Sequence, residues 1–121
     1  MKSFTDIEQS KVLCKILPIK SADMYWDYDV QKHEDYPMIM DDQFDNLCIP
    51  AWSLAALFEV LPKYIEGSNR LRIDINNVDF SIWYDDLRGY GVNNELPNIV
   101  SKEPVDACVS MIEKLHELNL L

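Results

Sequence analysis

The sequence predicts a single α+β domain that contains an antiparallel sheet of three to five strands. The chain has 121 residues, 48% of them apolar, and only 3 glycines, which is the composition of one packed globular domain. Helical periodicity recurs in three segments, and the segments between them alternate apolar with polar residues. We therefore expect helices at about 6–17, 51–61 and 102–118, packed against a β-hairpin at about 70–84.

The first helix is predicted by a capping pattern and by a one-sided apolar face. Thr5 is followed three residues later by Glu8, which is the spacing of a capping box. Apolar residues then share one helical face until Pro18 ends the run: Ile7, Leu13, Cys14 and Leu17. We expect this face to be buried.

Two short strands are predicted after the first helix. From Met24 to Val30 apolar and polar residues alternate, which is typical of a half-buried strand. Tyr36 to Met40 forms a second short strand, and Pro37 restricts it to the edge of a sheet or to a first position. The two segments are expected to form an antiparallel pair.

The second helix, Ala51 to Leu61, is apolar nearly all round, so it is expected to be buried. Pro50 suits the first turn of such a helix, and Pro62 ends it. Trp52, at its start, is predicted to belong to the core.

The hairpin is predicted by alternation on both sides of Asn76-Asn77, a pair that tolerates the positive φ angles of a tight turn. A two-residue turn would place Ile75 opposite Val78 and Arg70 opposite Trp83. After the hairpin, residues 85–102 are expected to be mainly loop, with 96–100 able to follow a sheet edge. Ser101 is the predicted N-cap of the last helix, which runs to about Leu118.

Three blocks of sequence carry a family resemblance. They are Ala22-Asp23-Met24, then Ile49-Pro50-Ala51-Trp52-Ser53-Leu54 with Ala56-Leu57 through Leu61-Pro62, and then Pro104-Val105-Asp106-Ala107-Cys108-Val109 with Met111-Ile112. Together they resemble a group of small proteins encoded by gut anaerobic bacteria and their prophages. The resemblance implies a bacterial or phage origin. The group has no assigned activity, so the resemblance implies no functional residues.

Charge and cysteine content exclude several classes of function. The chain carries 21 Asp+Glu against 11 Lys+Arg, a net charge of −10, which opposes binding to nucleic acid or to an anionic membrane surface. Neither a secretory signal nor an apolar run of membrane-spanning length is present, so we expect a cytoplasmic protein. Its 3 cysteines are far apart and form no C-x-x-C pair, which argues against a disulfide framework or a zinc site.

No catalytic residue, metal site or cofactor is assigned from the sequence. Cys108 and His116 are eight residues apart on one helix, about 12 Å along its axis, which is too far for a catalytic pair. The segment from Asp23 to Asp45 holds eight carboxylates and one lysine but matches no calcium-binding loop. It could be a solvated face, a surface for a basic partner or, least expected, a metal site.

The function predicted from these observations is protein interaction rather than catalysis. The candidate partner-binding residues are Asp27, Asp29, Glu34, Asp35, Arg70, Trp83, Asp85 and Asp86. The expected partner is an unidentified protein, either a basic one or a second copy of this chain in a homodimer. The alternative is a small hydrolase or ligand-binding domain that uses carboxylates near Asp27 and Asp85.

Overall fold

The structure, a computed structural model, describes residues 1–27, 36–86 and 96–121. Within these residues it contains three α-helices, one short 3-10 helix and seven strands, which form antiparallel sheets of three and four strands. The predicted α+β class is therefore confirmed. The chain divides into two compact units, Lys2–Val60 and Leu61–Leu121, and each unit has its own sheet.

The unit Lys2–Val60 combines two helices with a three-stranded sheet. In chain order its elements are α1 (Ile7–Leu13), a 3-10 helix (Ile19–Ser21), β1 (Met24–Trp26), β2 (Met38–Ile39), β3 (Ile49–Ala51) and α2 (Leu54–Val60). The strand order is β2-β1-β3, and both pairings are antiparallel. The antiparallel pair expected between the segments Met24 to Val30 and Tyr36 to Met40 is present as β1 and β2, with Met24 opposite Ile39, while residues 28–30 of the predicted strand lie outside the described residues.

The N-cap of helix α1 lies one residue after the predicted cap, Thr5. Asp6, and not Thr5, is the N-cap: its Oδ1 accepts a hydrogen bond from the Gln9 N–H at 2.7 Å, while the Asp6 N–H donates to Gln9 Oε1 at 3.1 Å. Thr5 cannot cap the helix because its side chain is fully buried and its hydroxyl lies 2.8 Å from the Ser10 hydroxyl. The helix ends at Leu13, so the residues up to 17 are not helical.

Pro50 and Ala51, predicted to lie in the first turn of the second helix, belong instead to strand β3 (Ile49–Ala51). Pro50 lies opposite Tyr25, and β3 is at the edge of its sheet, a place where a proline without an N–H is tolerated. Helix α2 therefore starts at Leu54, three residues after the predicted start. Its N-terminus is capped by Ser53, whose Oγ accepts a hydrogen bond from the Ala56 N–H at 3.2 Å. Trp52 is fully buried, as predicted.

The unit Leu61–Leu121 packs one long helix on a four-stranded sheet. Its elements are β4 (Tyr64–Ile65), β5 (Asn69–Ile75), β6 (Phe80–Asp86), β7 (Ile99–Ser101) and α3 (Pro104–Glu117). The strand order is β4-β5-β6-β7, with every neighbouring pair antiparallel. The predicted hairpin is β5–β6, and β7 confirms the sheet edge expected near residues 96–100. Ser101 is the last residue of β7, and Glu103 takes the N-cap position of α3.

The hairpin has a four-residue loop rather than the predicted two-residue turn. Ile75 lies opposite Phe80, so the predicted pairing of Ile75 with Val78 is wrong by two positions. The loop is closed by Asn76, whose Oδ1 accepts hydrogen bonds from the Val78 N–H at 2.8 Å and the Asp79 N–H at 2.7 Å. A shift of two residues keeps every side chain on its predicted face of the sheet.

Helix α3 determines which parts of this sheet are buried. It packs against β6 and β7, and Phe80, Ile82 and Tyr84 of β6 are at most 2% exposed. Ile73 and Ile75 of β5 share this face of the sheet but are 40% and 72% exposed. The apolar alternation in β5 is therefore buried only in part.

Candidate interaction surface

The side of the four-stranded sheet opposite α3 forms a surface that we call the open face. The pairing registers place eight side chains on it: Tyr64, Arg70, Arg72, Asp74, Ser81, Trp83, Asp85 and Val100. The three β5 side chains in this set are exposed, and Tyr64 and Val100 are 55% and 56% exposed. Within the described residues of this unit no helix packs on the open face, because the only helix, α3, lies on the other side.

Trp83 lies on the third of the four strands, β6, and is half-buried. Its cross-strand neighbour is Arg72, not Arg70 as the two-residue turn had predicted. Arg70 lies opposite Asp85, and Tyr64 lies opposite Arg70 from the outer strand β4. Aromatic and arginine side chains therefore lie in two adjacent cross-strand rows of the open face, Tyr64–Arg70–Asp85 and Arg72–Trp83. These residue types are enriched at the energetic centres of protein interfaces.

Two local features position side chains in these rows. The Arg72 Nε is 3.5 Å from Asp85 Oδ2, with both side chains more than one-third exposed, so this ion pair orients Arg72 but contributes at most about 1 kcal/mol to stability. Tyr64 is positioned by the tight turn between β4 and β5. Glu66 and Gly67 both have left-handed φ angles there, 53° and 76°, and the glycine adopts this conformation without steric cost.

The structure places the predicted partner-binding residues in three groups. Arg70, Trp83 and Asp85 share the open face, whereas Asp86 points to the opposite side because neighbouring residues in a strand alternate. Asp27 is exposed and belongs to the other compact unit. The remaining predicted residues lie outside the described residues: Asp29, Glu34 and Asp35.

Sequence reasoning missed five members of the open face as partner-binding residues: Tyr64, Arg72, Asp74, Ser81 and Val100. The signal for Arg72 was present, because it has the same alternation parity as Arg70 in a strand opposite Trp83. Tyr64 lies in a strand of two residues and Val100 in a strand of three, which are too short for periodicity to define a face.

Several carboxylates of the acidic segment Asp23–Asp45 have local structural roles. Asp23 accepts hydrogen bonds from both the N–H and the hydroxyl of Ser53, so it supports the start of α2. Asp41 accepts from the Tyr25 hydroxyl at 3.0 Å, and burial together with this carboxylate raises the pKa of Tyr25 to about 12. Asp45 accepts from the Leu47 N–H at 2.8 Å. These contacts account for part of the acidic segment without any ligand.

Cys108 and His116, the pair considered for nucleophilic catalysis, differ in burial within α3. Cys108 is fully buried, and burial raises its pKa to about 12, so the reactive thiolate is suppressed at neutral pH. His116, on the same helix, is exposed. In the described ranges, three or more His, Cys, Asp or Glu side chains are nowhere grouped closely enough to hold a metal ion.

Neither protein family models, nor curated protein sequences, nor solved structures give a match to this chain. None of the helices in the described part of the chain is long and apolar enough to cross a membrane. What the structure defines is an α+β protein whose four-stranded sheet carries arginine and aromatic side chains on the side opposite α3.

Proposed function

We propose that this protein is a protein-interaction module and that the open face is its contact surface. The observation that supports this most directly is the position of Trp83, half-buried opposite the exposed Arg72 on a side of the sheet that α3 does not cover. Tryptophan, tyrosine and arginine often dominate binding energy because each combines a large contact area with a hydrogen-bonding group.

The setting of this module is also part of the proposal. Its three cysteines are free, which agrees with a reducing cytoplasm. The resemblance of three sequence blocks to small proteins of gut anaerobes and prophages supports a bacterial or mobile-element origin. The net charge of −10 favours a partner that is basic overall, since long-range attraction accelerates encounter.

The open face can be tested by affinity capture from the native host followed by quantitative mass spectrometry. Two variants alter the surface: Arg72→Glu reverses a charge beside Trp83, and Val100→Ser removes an apolar side chain that is 56% exposed. We expect both to lose the protein that the wild type captures, because contacts near an interface centre contribute most of the affinity.

Two matched controls separate surface effects from general ones. Lys114→Glu also reverses a charge and also breaks one exposed ion pair, but it lies on α3. Ile19→Ser removes an apolar side chain of the same 56% exposure outside the sheet. Both controls should capture the partner as the wild type does. Equal capture by all four variants would show that the open face is not the contact surface.

A further inference from the structure

The outer edge of β5 is paired only over its first half. β4 pairs with the first two residues of β5, and the Leu71 N–H donates to the Lys63 carbonyl at 2.9 Å. Alternate residues of a strand direct their N–H and C=O groups to the same edge, so Ile73 and Ile75 direct theirs outward, as Leu71 does. No strand of the described residues pairs with β5 at Ile73 or Ile75.

A recess lies next to this part of the edge. Among the described residues it is lined by Lys63, Tyr64, Arg70, Leu71 and Ile73, and its volume is about 430 Å³. Tyr64 and Arg70 belong to the open face, whereas Leu71 and Ile73 belong to the side on which α3 packs. A recess lined from both sides of a sheet lies in the plane of the sheet, at the place where a neighbouring strand would run.

The side chains along the edge combine aliphatic surface on one side of the sheet with a negative charge on the other. Ile73 and Ile75 are 40% and 72% exposed on the α3 side. Asp74, between them, is exposed on the open face, and in the described part of the chain no cation lies within ion-pair distance of its carboxylate. Arg72, the preceding β5 residue on that face, is paired with Asp85 instead.

The backbone geometry makes the position opposite Asp74 sensitive to charge. Because Ile73 and Ile75 direct their backbone groups outward, Asp74 directs its own inward, towards Ser81 of β6. A residue opposite Asp74 on an added antiparallel strand would therefore lie in a non-hydrogen-bonded pair, in which the Cα atoms are about 4.5 Å apart and the side chains are closest. Opposite charges in such a pair stabilise a sheet, and like charges destabilise it.

We propose that an extended segment with the pattern apolar–basic–apolar adds to the sheet as a strand along β5. Its backbone would pair with Ile73 and Ile75, its apolar side chains would lie beside theirs, and its lysine or arginine would face Asp74. The net charge of −10 attracts such a segment at long range as well. This inference rests on the proposed interaction function and specifies the segment of the basic partner that is bound.

Charge favours this segment over a second copy of the chain. Antiparallel self-pairing through Ile73 and Ile75 places Asp74 of one copy directly opposite Asp74 of the other, and like charges in this position destabilise a sheet. A register that placed Asp74 opposite Arg72 of the other copy would need the backbone of Leu71, whose N–H already donates within the chain. A lysine or arginine opposite Asp74 meets neither obstacle.

The inference is tested by NMR titration of the full ¹⁵N-labelled chain with two blocked peptides, Thr-Val-Lys-Val-Thr and Thr-Val-Glu-Val-Thr. We expect the lysine peptide to shift the amide signals of Ile73 and Ile75 and to bind at least about threefold more tightly than the glutamate peptide. N-methylation of both valines should abolish binding, because the valine N–H groups are the donors that pair with β5.

Three variants separate the contact with Asp74 from other effects. Asp74→Lys should reverse the preference between the two peptides. Glu113→Lys makes the same change in net charge at an exposed position of α3 and should keep the wild-type preference. Val100→Ser alters the open face on β7, two strands away from this edge, and should leave binding of the lysine peptide unchanged.

Each outcome supports or overturns the inference. It is overturned if the signals of Ile73 and Ile75 do not shift, if the two peptides bind equally, if the N-methylated peptide binds as well as the parent, or if Asp74→Lys and Glu113→Lys change the preference alike. It is also overturned if the β5 signals shift with protein concentration alone, because a second copy then occupies the edge. Loss of the host partner by Val100→Ser without binding of the lysine peptide would support the proposed function and reject strand addition alone.

Discussion

At the scale of single residues, Thr5 is a buried residue whose hydrogen bonds connect three other segments of the unit Lys2–Val60. Its Oγ1 accepts a hydrogen bond from the Trp52 N–H at 3.1 Å and lies 2.8 Å from the Ser10 hydroxyl. Its carbonyl accepts from the Trp26 indole at 3.1 Å, and its N–H donates to the Trp52 carbonyl at 2.9 Å. The sequence pattern led to Thr5 as a helix cap because a capping box and a buried threonine look alike before the chain is folded.

Replacing Thr5 with valine should therefore destabilise the protein although the shape of the side chain is kept. The Trp52 N–H and the Ser10 hydroxyl would each lose a partner in a buried site, and we expect a loss of about 1–3 kcal/mol in the free energy of unfolding. Urea denaturation measures this loss. Ser110→Ala, at an exposed position of α3, is the control and should change stability by less than about 0.5 kcal/mol. A Thr5→Val protein as stable as the wild type would contradict the structure.

Because Cys108 and Tyr84 are buried with raised pKa values, the stability of the protein should decrease at alkaline pH. Burial raises the pKa of Cys108 from its ordinary value of 9.0 to about 12 and also raises the pKa of Tyr84, whose hydroxyl donates to the Pro62 carbonyl at 2.7 Å. The folded state therefore keeps these protons while the unfolded state releases them. The stabilisation is complete below about pH 9 and decreases as the pH rises towards 12.

The variant Cys108→Ala should weaken this pH dependence. Between about pH 9 and 10 the unfolding free energy of the wild type should fall by about 1 kcal/mol more than that of the variant, because only the wild type carries the shifted thiol. Urea denaturation at both pH values gives the two slopes. Cys14→Ala, which alters an exposed thiol, should keep the wild-type slope. Equal slopes in all three proteins would show that Cys108 is not held protonated.

At the scale of elements, the β5–β6 hairpin shows how far alternation predicts a structure. The strands and their two faces follow from the period of two, which places Ile73 with Ile82 on one side and Arg72 with Trp83 on the other. The register does not follow, because it depends on the length of the loop. Asn76-Asn77 favours a two-residue turn, but the Asn76 side chain closes a four-residue loop instead.

The two asparagines should consequently differ in their contribution to stability. Asn76→Ala removes the acceptor for the N–H groups of Val78 and Asp79, and we expect a loss of about 1–2 kcal/mol. Asn77→Ala, the matched control, alters an exposed neighbour and should be within about 0.5 kcal/mol of the wild type. Chemical denaturation compares the two. Equal losses would favour the two-residue turn, in which both asparagines occupy the turn.

At the scale of the whole molecule, the dominant property is the excess of negative charge. The chain carries 21 Asp+Glu against 11 Lys+Arg. Local contacts of Asp23, Asp41 and Asp45 satisfy these particular carboxylates without removing their charge. A net charge of this size opposes the compact state through self-repulsion, which dissolved salt screens.

Moderate salt should therefore stabilise the protein at neutral pH. We expect the urea midpoint to rise when NaCl is increased from about 10 to 150 mM, because the Debye length falls from about 30 to 8 Å. The paired substitution Asp42→Asn/Glu113→Gln removes two exposed charges and should reduce this response. A urea midpoint that falls with salt would mean that local attractions, such as the Arg72–Asp85 ion pair, outweigh the general repulsion.

By itself, the sequence determined the α+β class, the antiparallel pairing, the alternating faces of the hairpin and the burial of Trp52, since periodicity and residue volume are local properties. Only the tertiary structure decided that Pro50 lies in a strand, that Thr5 is buried rather than capping a helix, and that the strands divide between two sheets. It also decided that α3 packs on β6 and β7 and that the side chains in the two rows of the open face lie on the other side of the sheet. Such choices depend on contacts between residues far apart in the chain, and a local pattern cannot show which partner will cover it.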